Sequence, residues 1–442
     1  MLDKKDSSYE NSIKVSDCLQ AIEKYRFIFI HIFTIVFSFF VFRYLGLIEL
    51  LPNKENILKW DANWYNSIRL HGYTYSEQWQ SNSGFFPLFP YFWRVTQLDP
   101  LYISLLNGFI GLLSIFYLAK TFDFKLSVTL LCVSLPSSIF MYVPYTESLF
   151  FLFSTIFLVG LKNDKKILIA IGLFVASIIK PITIFFIPSI IFMELLMSSF
   201  NQINLLRLIK KALFYLLFSV IGILLVEWIQ YVQTGVWFAY FKAQSKYWDR
   251  TFSFPGFPLT ALDWEGEKII WIDSIAFLIG LIAIILAFKE IRNWVNNKLQ
   301  QSVVPNKVYL FSLIYLSMIL FSILFFNPKM DNGSTNIIGI NRYMFVSPFI
   351  MVFLNHHFRN TSLTLPQLIF FIILTLFTWL LFGSYEHIQI FFLYGIITIY
   401  FIFYYLMMYS TKFKNLWIPI YCLNVILQLW FFDSFLKNYW VG

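Results

Sequence analysis

The chain is 442 residues long, 59% hydrophobic and only 13% charged, whereas soluble domains carry about 25% charged residues. That much apolar surface cannot be hidden in a soluble fold, which excludes a soluble enzyme, a disordered chain and a collagen-like fibre. The formal net charge of +9 is scattered through short polar connections, so it marks membrane topology, and no nucleic-acid partner is expected.

Residues 1–26 form a polar, charged tail, and the apolar run that begins at Phe27 is too long and too aromatic for a cleaved signal core. Apolar runs approaching membrane length follow at 27–48, 101–119, 127–143, 147–161, 167–180, 183–199, 212–232, 269–288, 308–326, 343–357, 367–383, 388–409 and 416–433. They predict an all-α polytopic membrane protein of about 11–13 transmembrane helices forming a single domain over 1–442. Strands of a membrane barrel would instead alternate in polarity over about 10 residues. Cys18, Cys132 and Cys422 make neither a metal spacing nor a disulfide framework.

Sidedness follows from lysine. The connections at 120–125 and 162–166 hold Lys120, Lys125, Lys162, Lys165 and Lys166, while 144–146 has no cation. This places the N-terminus in the cytoplasm and turns the longer connections 49–100, 233–268 and 327–342 outward.

The first outward connection carries Trp60-Asp61-Ala62-Asn63-Trp64-Tyr65, ending at His71-Gly72-Tyr73. On a helical wheel Ile57, Asp61, Trp64 and Ile68 share one stripe, with Lys59, Asn63 and Asn66 opposite. The pattern predicts an amphipathic helix lying along the membrane surface, with Asp61 on its apolar side. A carboxylate there either caps a helix or pairs with a cation, or it serves as a general base whose basicity burial raises. Gly84-Phe85-Phe86-Pro87-Leu88-Phe89-Pro90 follows, and its two prolines interrupt regular helix among rings suited to an aromatic belt.

Trp60-Asp61 with Trp64-Tyr65, His71-Gly72-Tyr73 and the Phe85–Pro90 run resembles the PIG-V family of polytopic mannosyltransferases, within the GT-C class of membrane glycosyltransferases. Pro144-Tyr145-Thr146-Glu147-Ser148 is similar to the family's Tyr-x-Glu-Ser stretch and Asn341-Arg342-Tyr343 to its later Arg-Tyr motif, so the resemblance spans roughly residues 55 to 350. Lys180-Pro181 stands where family members often have Arg-Pro or Arg-Ser.

The resemblance implies a GT-C-like bundle and a sugar donor on polyprenyl or dolichyl phosphate, with a glycan or glycolipid acceptor and mannose as the sugar. It implies an inverting, single-displacement transfer with Asp61 as general base. The leaving phosphate requires positive charge, for which Arg342 is the first candidate and Lys180 the second; the alternative for each is an interfacial, snorkelling cation. Trp60, Trp64, His71, Tyr73 and Glu147 are candidates for substrate contact, as are Lys246 and Arg250 in the second outward connection. Glu147 equally suits a helix start, His71 a helix end, and Lys246 and Arg250 an ordinary interfacial loop. Glu227 is placed to balance one of these cations, and His356-His357 falls at the cytoplasmic end of a span.

No cofactor is firmly implied. Some GT-C enzymes use a divalent metal, but Asp61 and Glu147 alone make a poor octahedral site. The expected location is a bacterial plasma membrane, in contact with membrane lipids, with the endoplasmic reticulum as the alternative. Rival functions are a flippase or transporter for a lipid-linked glycan, whose polar cluster would lie near the midplane, and an outer-face glycan polymerase or ligase.

Overall fold

The computed structural model describes residues 26–198, 204–262, 271–296, 306–360, 362–382 and 388–442. Among them every regular element is a helix, accompanied by three isolated β-bridges. In chain order the α-helices are α1 (Arg26–Tyr44), α2 (Asp61–His71), α3 (Leu88–Thr96), α4 (Pro100–Thr121), α5 (Leu126–Val133) and α6 (Glu147–Lys162). Next come α7 (Lys166–Ile179), α8 (Phe186–Met197), α9 (Leu205–Thr234), α10 (Ala239–Tyr247), α11 (Trp271–Asn296) and α12 (Lys307–Phe326). The chain finishes with α13 (Ile340–Phe345), α14 (Pro348–Asn360), α15 (Leu365–Trp379), α16 (Ile388–Tyr409) and α17 (Trp417–Leu436).

Among the described residues six helices are long and apolar enough to cross a membrane: α1, α4, α9, α11, α12 and Thr411–Leu436, which is α17 with the 3-10 turn before it. Four shorter apolar helices accompany them, at Lys166–Ile179, Pro181–Met197, Leu365–Trp379 and Leu393–Tyr409. Length and composition together make this an integral, polytopic membrane protein.

The predicted spans are not all continuous helices, and proline is the physical reason. The run at 127–143 divides into α5 and a 3-10 turn, Pro136–Met141. The run at 343–357 divides into α13 and α14 ahead of Pro348. Pro181 ends α7 and opens the 3-10 turn Pro181–Phe185, as the sequence leads one to expect. Each ring removes a backbone donor and clashes with the preceding turn.

α12 is buried along nearly its whole length and forms the centre of the bundle. Its Phe311 and Tyr315 meet Phe349 of α14 at ring-centroid distances of 5.4 and 4.2 Å, and Phe186 of α8 at 5.5 and 5.4 Å. The α6–α7 hairpin closes on glycine. A Cβ at Gly172 would lie 2.8 Å from the backbone N of Phe157, and one at Gly160 2.8 Å from that of Ile169. Only a hydrogen at these positions lets the two helices come this close, the usual device of helix pairs in lipid. α1 lies at the periphery. Phe29, Phe33, Phe37 and Phe40 are exposed on it, while His31 turns inward and meets Tyr421 Oη at 3.2 Å.

The first connection holds α2, a 3-10 turn at Asn82–Gly84, and α3. The buried face of α2 is Ala62, Tyr65 and Ile68, whereas Ile57 precedes the helix and Leu70 is exposed. The wheel drawn from sequence is therefore rotated toward Tyr65. Tyr65 fills the gap between Phe85, Phe89 and Tyr145, with centroids at 5.3, 5.4 and 6.2 Å, and this packing orients the helix.

Candidate active site

Four charged side chains that are distant in sequence meet where helices end. Asp61 is the first residue of α2, Glu147 is the first residue of α6, Lys180 directly follows α7, and Arg342 lies in the short α13. Arg342 Nη1 donates to Asp61 Oδ2 at 2.7 Å. Arg342 Nε and Nη2 both donate to Glu147 Oε1, at 3.0 and 2.8 Å. Lys180 Nζ donates to the same oxygen at 2.8 Å. Two acids and two cations alternate, and their formal charges cancel.

Burial makes pairing obligatory for Glu147, Lys180 and Arg342, and less so for the partly exposed Asp61. The Glu147 side chain is 0% exposed, Lys180 7%, Arg342 10% and Asp61 19%. An unpaired charge at such depth costs several kcal/mol. Aromatic faces supply the remaining solvation. The Arg342 guanidinium lies 4.9 Å from the Phe140 ring and 4.7 Å from Tyr145, and Lys180 Nζ lies 5.4 Å from Phe150 and 5.5 Å from Tyr343.

Local structure explains each placement. Pro181 stops α7, so the Lys180 backbone becomes extended and its side chain reaches Glu147. Thr146 places no side-chain cap on α6, and Glu147 is turned to the two cations. Trp60 sits at φ +53°, a strained backbone for a residue with a Cβ. Its indole is held by Trp440, at 5.0 Å and nearly perpendicular, and donates through Nε1 to Tyr439 O at 3.3 Å. Tyr145 Oη accepts the Asp61 N–H at 3.3 Å. Burial, and after it the Asp61 carboxylate, hold the Tyr145 phenol well above its usual range, so it stays protonated.

Arg342 depends on a third acid, one that the sequence reading passed over. Asp273, buried in α11, accepts the backbone N–H of Gly339 at 3.0 Å and of Asn341 at 2.9 Å, and Asn341 Nδ2 at 2.6 Å. Ser137 Oγ donates to Asn341 Oδ1 at 2.9 Å. Gly339, at φ +84°, makes the left-handed turn into α13. The signal was present, because Asp273 is an acid inside an otherwise apolar run, a position that demands a partner.

The other sequence candidates fall outside this network. Trp64 stacks on Phe85 at 5.9 Å and meets Trp248 at 6.4 Å, one helical turn from Asp61. Tyr73 is buried, donates to Phe85 O at 2.9 Å, and takes Gln233 Oε1 on its N–H at 2.7 Å, which ties the connection to α9. His71 is exposed at the far end of α2, about 15 Å from Asp61 by helical rise, and is too distant to orient it. Arg250 donates to Asn327 Oδ1 at 3.0 Å, and the exposed Lys246 lies 5.8 Å from the Tyr247 ring. Glu227 is buried in α9 with Oε2 lacking a hydrogen-bond partner, and none of the described ion pairs includes it. Among the described residues no three His, Cys, Asp or Glu side chains converge as metal ligands, and Asp61 and Glu147 each face Arg342.

An apolar cleft of about 650 Å³ runs between α11 and α14–α17. Leu135, Pro136 and Trp271 line one end, and Lys289 and Tyr309 the other. The span from Trp271 to Lys289 is about 27 Å along α11. Pro136 begins the 3-10 turn whose Ser137 and Phe140 touch Asn341 and Arg342, while none of Asp61, Glu147, Lys180 and Arg342 lines the cleft itself.

Fold and site together define a polytopic helical membrane protein with a neutral, buried charge network at helix ends. Comparisons with protein-family models, with curated proteins and with solved structures give no match for this chain.

Proposed function

We propose that this chain is a membrane glycosyltransferase of GT-C type, similar to the PIG-V family, that transfers a hexose, mannose by the resemblance, from a polyprenyl- or dolichyl-phosphate donor to a glycan or glycolipid acceptor. The single observation that carries the reading is the Asp61–Arg342 contact at 2.7 Å, in which the most exposed acid of the network touches a buried cation.

In this reading the donor's prenyl chain lies in the cleft and its phosphate meets Arg342, with Lys180 behind. An Asp61 oxygen takes the proton of the acceptor hydroxyl, and that hydroxyl oxygen bonds to the anomeric carbon. The bond from the anomeric carbon to the phosphate oxygen breaks, and its electron pair leaves with the lipid phosphate. The phosphate gains one negative charge as Asp61 loses one, so the site's total charge is constant. Arg342 faces the phosphate, where it stabilises the charge that develops. Inversion follows from a single displacement. No step is assigned to a metal, because both carboxylates are engaged by cations.

α2 lies at the outer membrane surface in this scheme, the N-terminus is cytoplasmic, and the membrane is a bacterial plasma membrane. The test is transfer by purified protein from polyprenyl-phosphate mannose to a glycolipid acceptor, compared with Asp61→Asn. A wild-type rate in the variant removes Asp61 as the base. Donor-independent movement of a lipid-linked glycan across vesicles supports a flippase instead.

A further inference from the structure

Arg342 has two acidic partners that are held with very different tenacity. Glu147 Oε1 accepts three donors, Arg342 Nε, Arg342 Nη2 and Lys180 Nζ. Its side chain is fully buried, so moving it would strand two cations. Asp61 has the opposite character. It holds Arg342 through one bond, at the edge of the network, from the first residue of a short helix. A change of side-chain rotamer is enough to release it.

We infer that the Asp61–Arg342 bond is a latch that an incoming phosphate exchanges for itself, so that the acid becomes available as a base only when the donor is seated. This rests on the glycosyl-transfer reading above and adds an order of events to it. Two features of the geometry point to exchange.

The first is the fork. Glu147 takes Nε and one N–H of Nη2, and Asp61 takes one N–H of Nη1. The end of the guanidinium that two phosphate oxygens would grip is therefore the end Asp61 partly occupies, while the inner edge is committed to Glu147. The second is the charge count. With Asp61 turned away, Arg342, Lys180 and Glu147 sum to +1. One phosphodiester anion restores neutrality, as Asp61 does at rest. The exchange leaves Arg342, Lys180 and Glu147 with one balancing anion at either stage, the condition that buried ion networks must meet, while the released Asp61 keeps its charge at the more exposed edge. Released from Arg342, both Asp61 oxygens can face an acceptor hydroxyl. Donor binding then precedes acceptor activation.

The test measures binding without turnover. The probe is methyl farnesyl phosphate, a phosphodiester with one negative charge and no sugar, titrated calorimetrically into the purified full-length protein in detergent. If Asp61 competes with the probe for Arg342, Asp61→Ala and Asp61→Asn bind it more tightly, on the order of 5- to 150-fold, the usual range of coupling between sites. Arg342→Gln binds it more weakly, and in that background Asp61→Ala gives no gain. A gain that persists without Arg342 means general charge repulsion and overturns the latch. Equal or weaker binding by both Asp61 variants overturns the latch alone and leaves phosphate recognition standing. No binding by any form removes phosphate recognition and the latch together. Asp61→Asn keeps the shape of the side chain, so a folding defect confined to Asp61→Ala does not decide the outcome.

Discussion

Asp273 and Asn341 are joined twice: one carboxylate oxygen takes both the backbone N–H of Asn341, at 2.9 Å, and its Nδ2, at 2.6 Å. The residue that follows is Arg342, so an acid in the first turn of an apolar helix sets the position of the guanidinium. Removing that acid strands the Gly339 and Asn341 donors, and each unsatisfied buried donor costs about 1–3 kcal/mol. Asp273→Leu is therefore expected to lose about 3 kcal/mol or more, with Asp273→Asn intermediate. Thermal unfolding in detergent measures both; equal Tm values for all three forms contradict the assignment.

Glu147→Ala leaves Lys180 and Arg342 to share Asp61 alone, and one buried cation goes unpaired. Breaking a buried pair by removing one partner costs about 3–5 kcal/mol. Adding Lys180→Met to Glu147→Ala restores the balance of charge, since Asp61 and Arg342 remain. The double variant is expected to be more stable than Glu147→Ala, and a double-mutant cycle of unfolding free energies shows it. Simple additivity of the two losses would argue against a shared network.

Asp61 differs from Glu147 in being replaceable without a large folding cost, because it is the most exposed member and Arg342 keeps its two bonds to Glu147. Asp61→Asn is expected to lower the rate of sugar transfer by about 10²- to 10⁴-fold, the usual contribution of a general base, with little change in Tm. A fall in Tm as large as that of Glu147→Ala would make Asp61 a structural residue.

Two glycines are expected to respond in opposite directions. At Gly172 a Cβ would come within 2.6 Å of Phe157 Cβ and 2.8 Å of its backbone, so Gly172→Ala must part α6 from α7 and lose about 1–3 kcal/mol. At Gly395 nothing lies within 4 Å of the added atom. There Gly395→Ala is expected to stabilise α16 by up to about 1 kcal/mol, through helix propensity and a less free unfolded chain. Paired unfolding curves in one detergent test both.

The sequence alone determined the class of fold. Long apolar runs with few charges have no other use than crossing lipid, and the break at Pro181 follows from a missing N–H, whereas the breaks at Pro136 and Pro348 fell inside runs that read as continuous spans. It also marked Asp61, Glu147, Lys180 and Arg342, because a charge in apolar surroundings stands out in one dimension. What it could not supply was their partners. Asp61 and Arg342 are 281 positions apart, and no periodicity reaches that far. Only tertiary packing decided that four helix ends meet, that Asp273 governs Arg342, and that His71, Lys246 and Arg250 belong elsewhere. The rotation of α2 was settled in the same way, by the space Tyr65 fills rather than by the polarity of its own turn. The reason is physical: composition and local sterics act along the chain, whereas a buried charge is stable only beside its counter-charge, and that requirement is met across the chain in space.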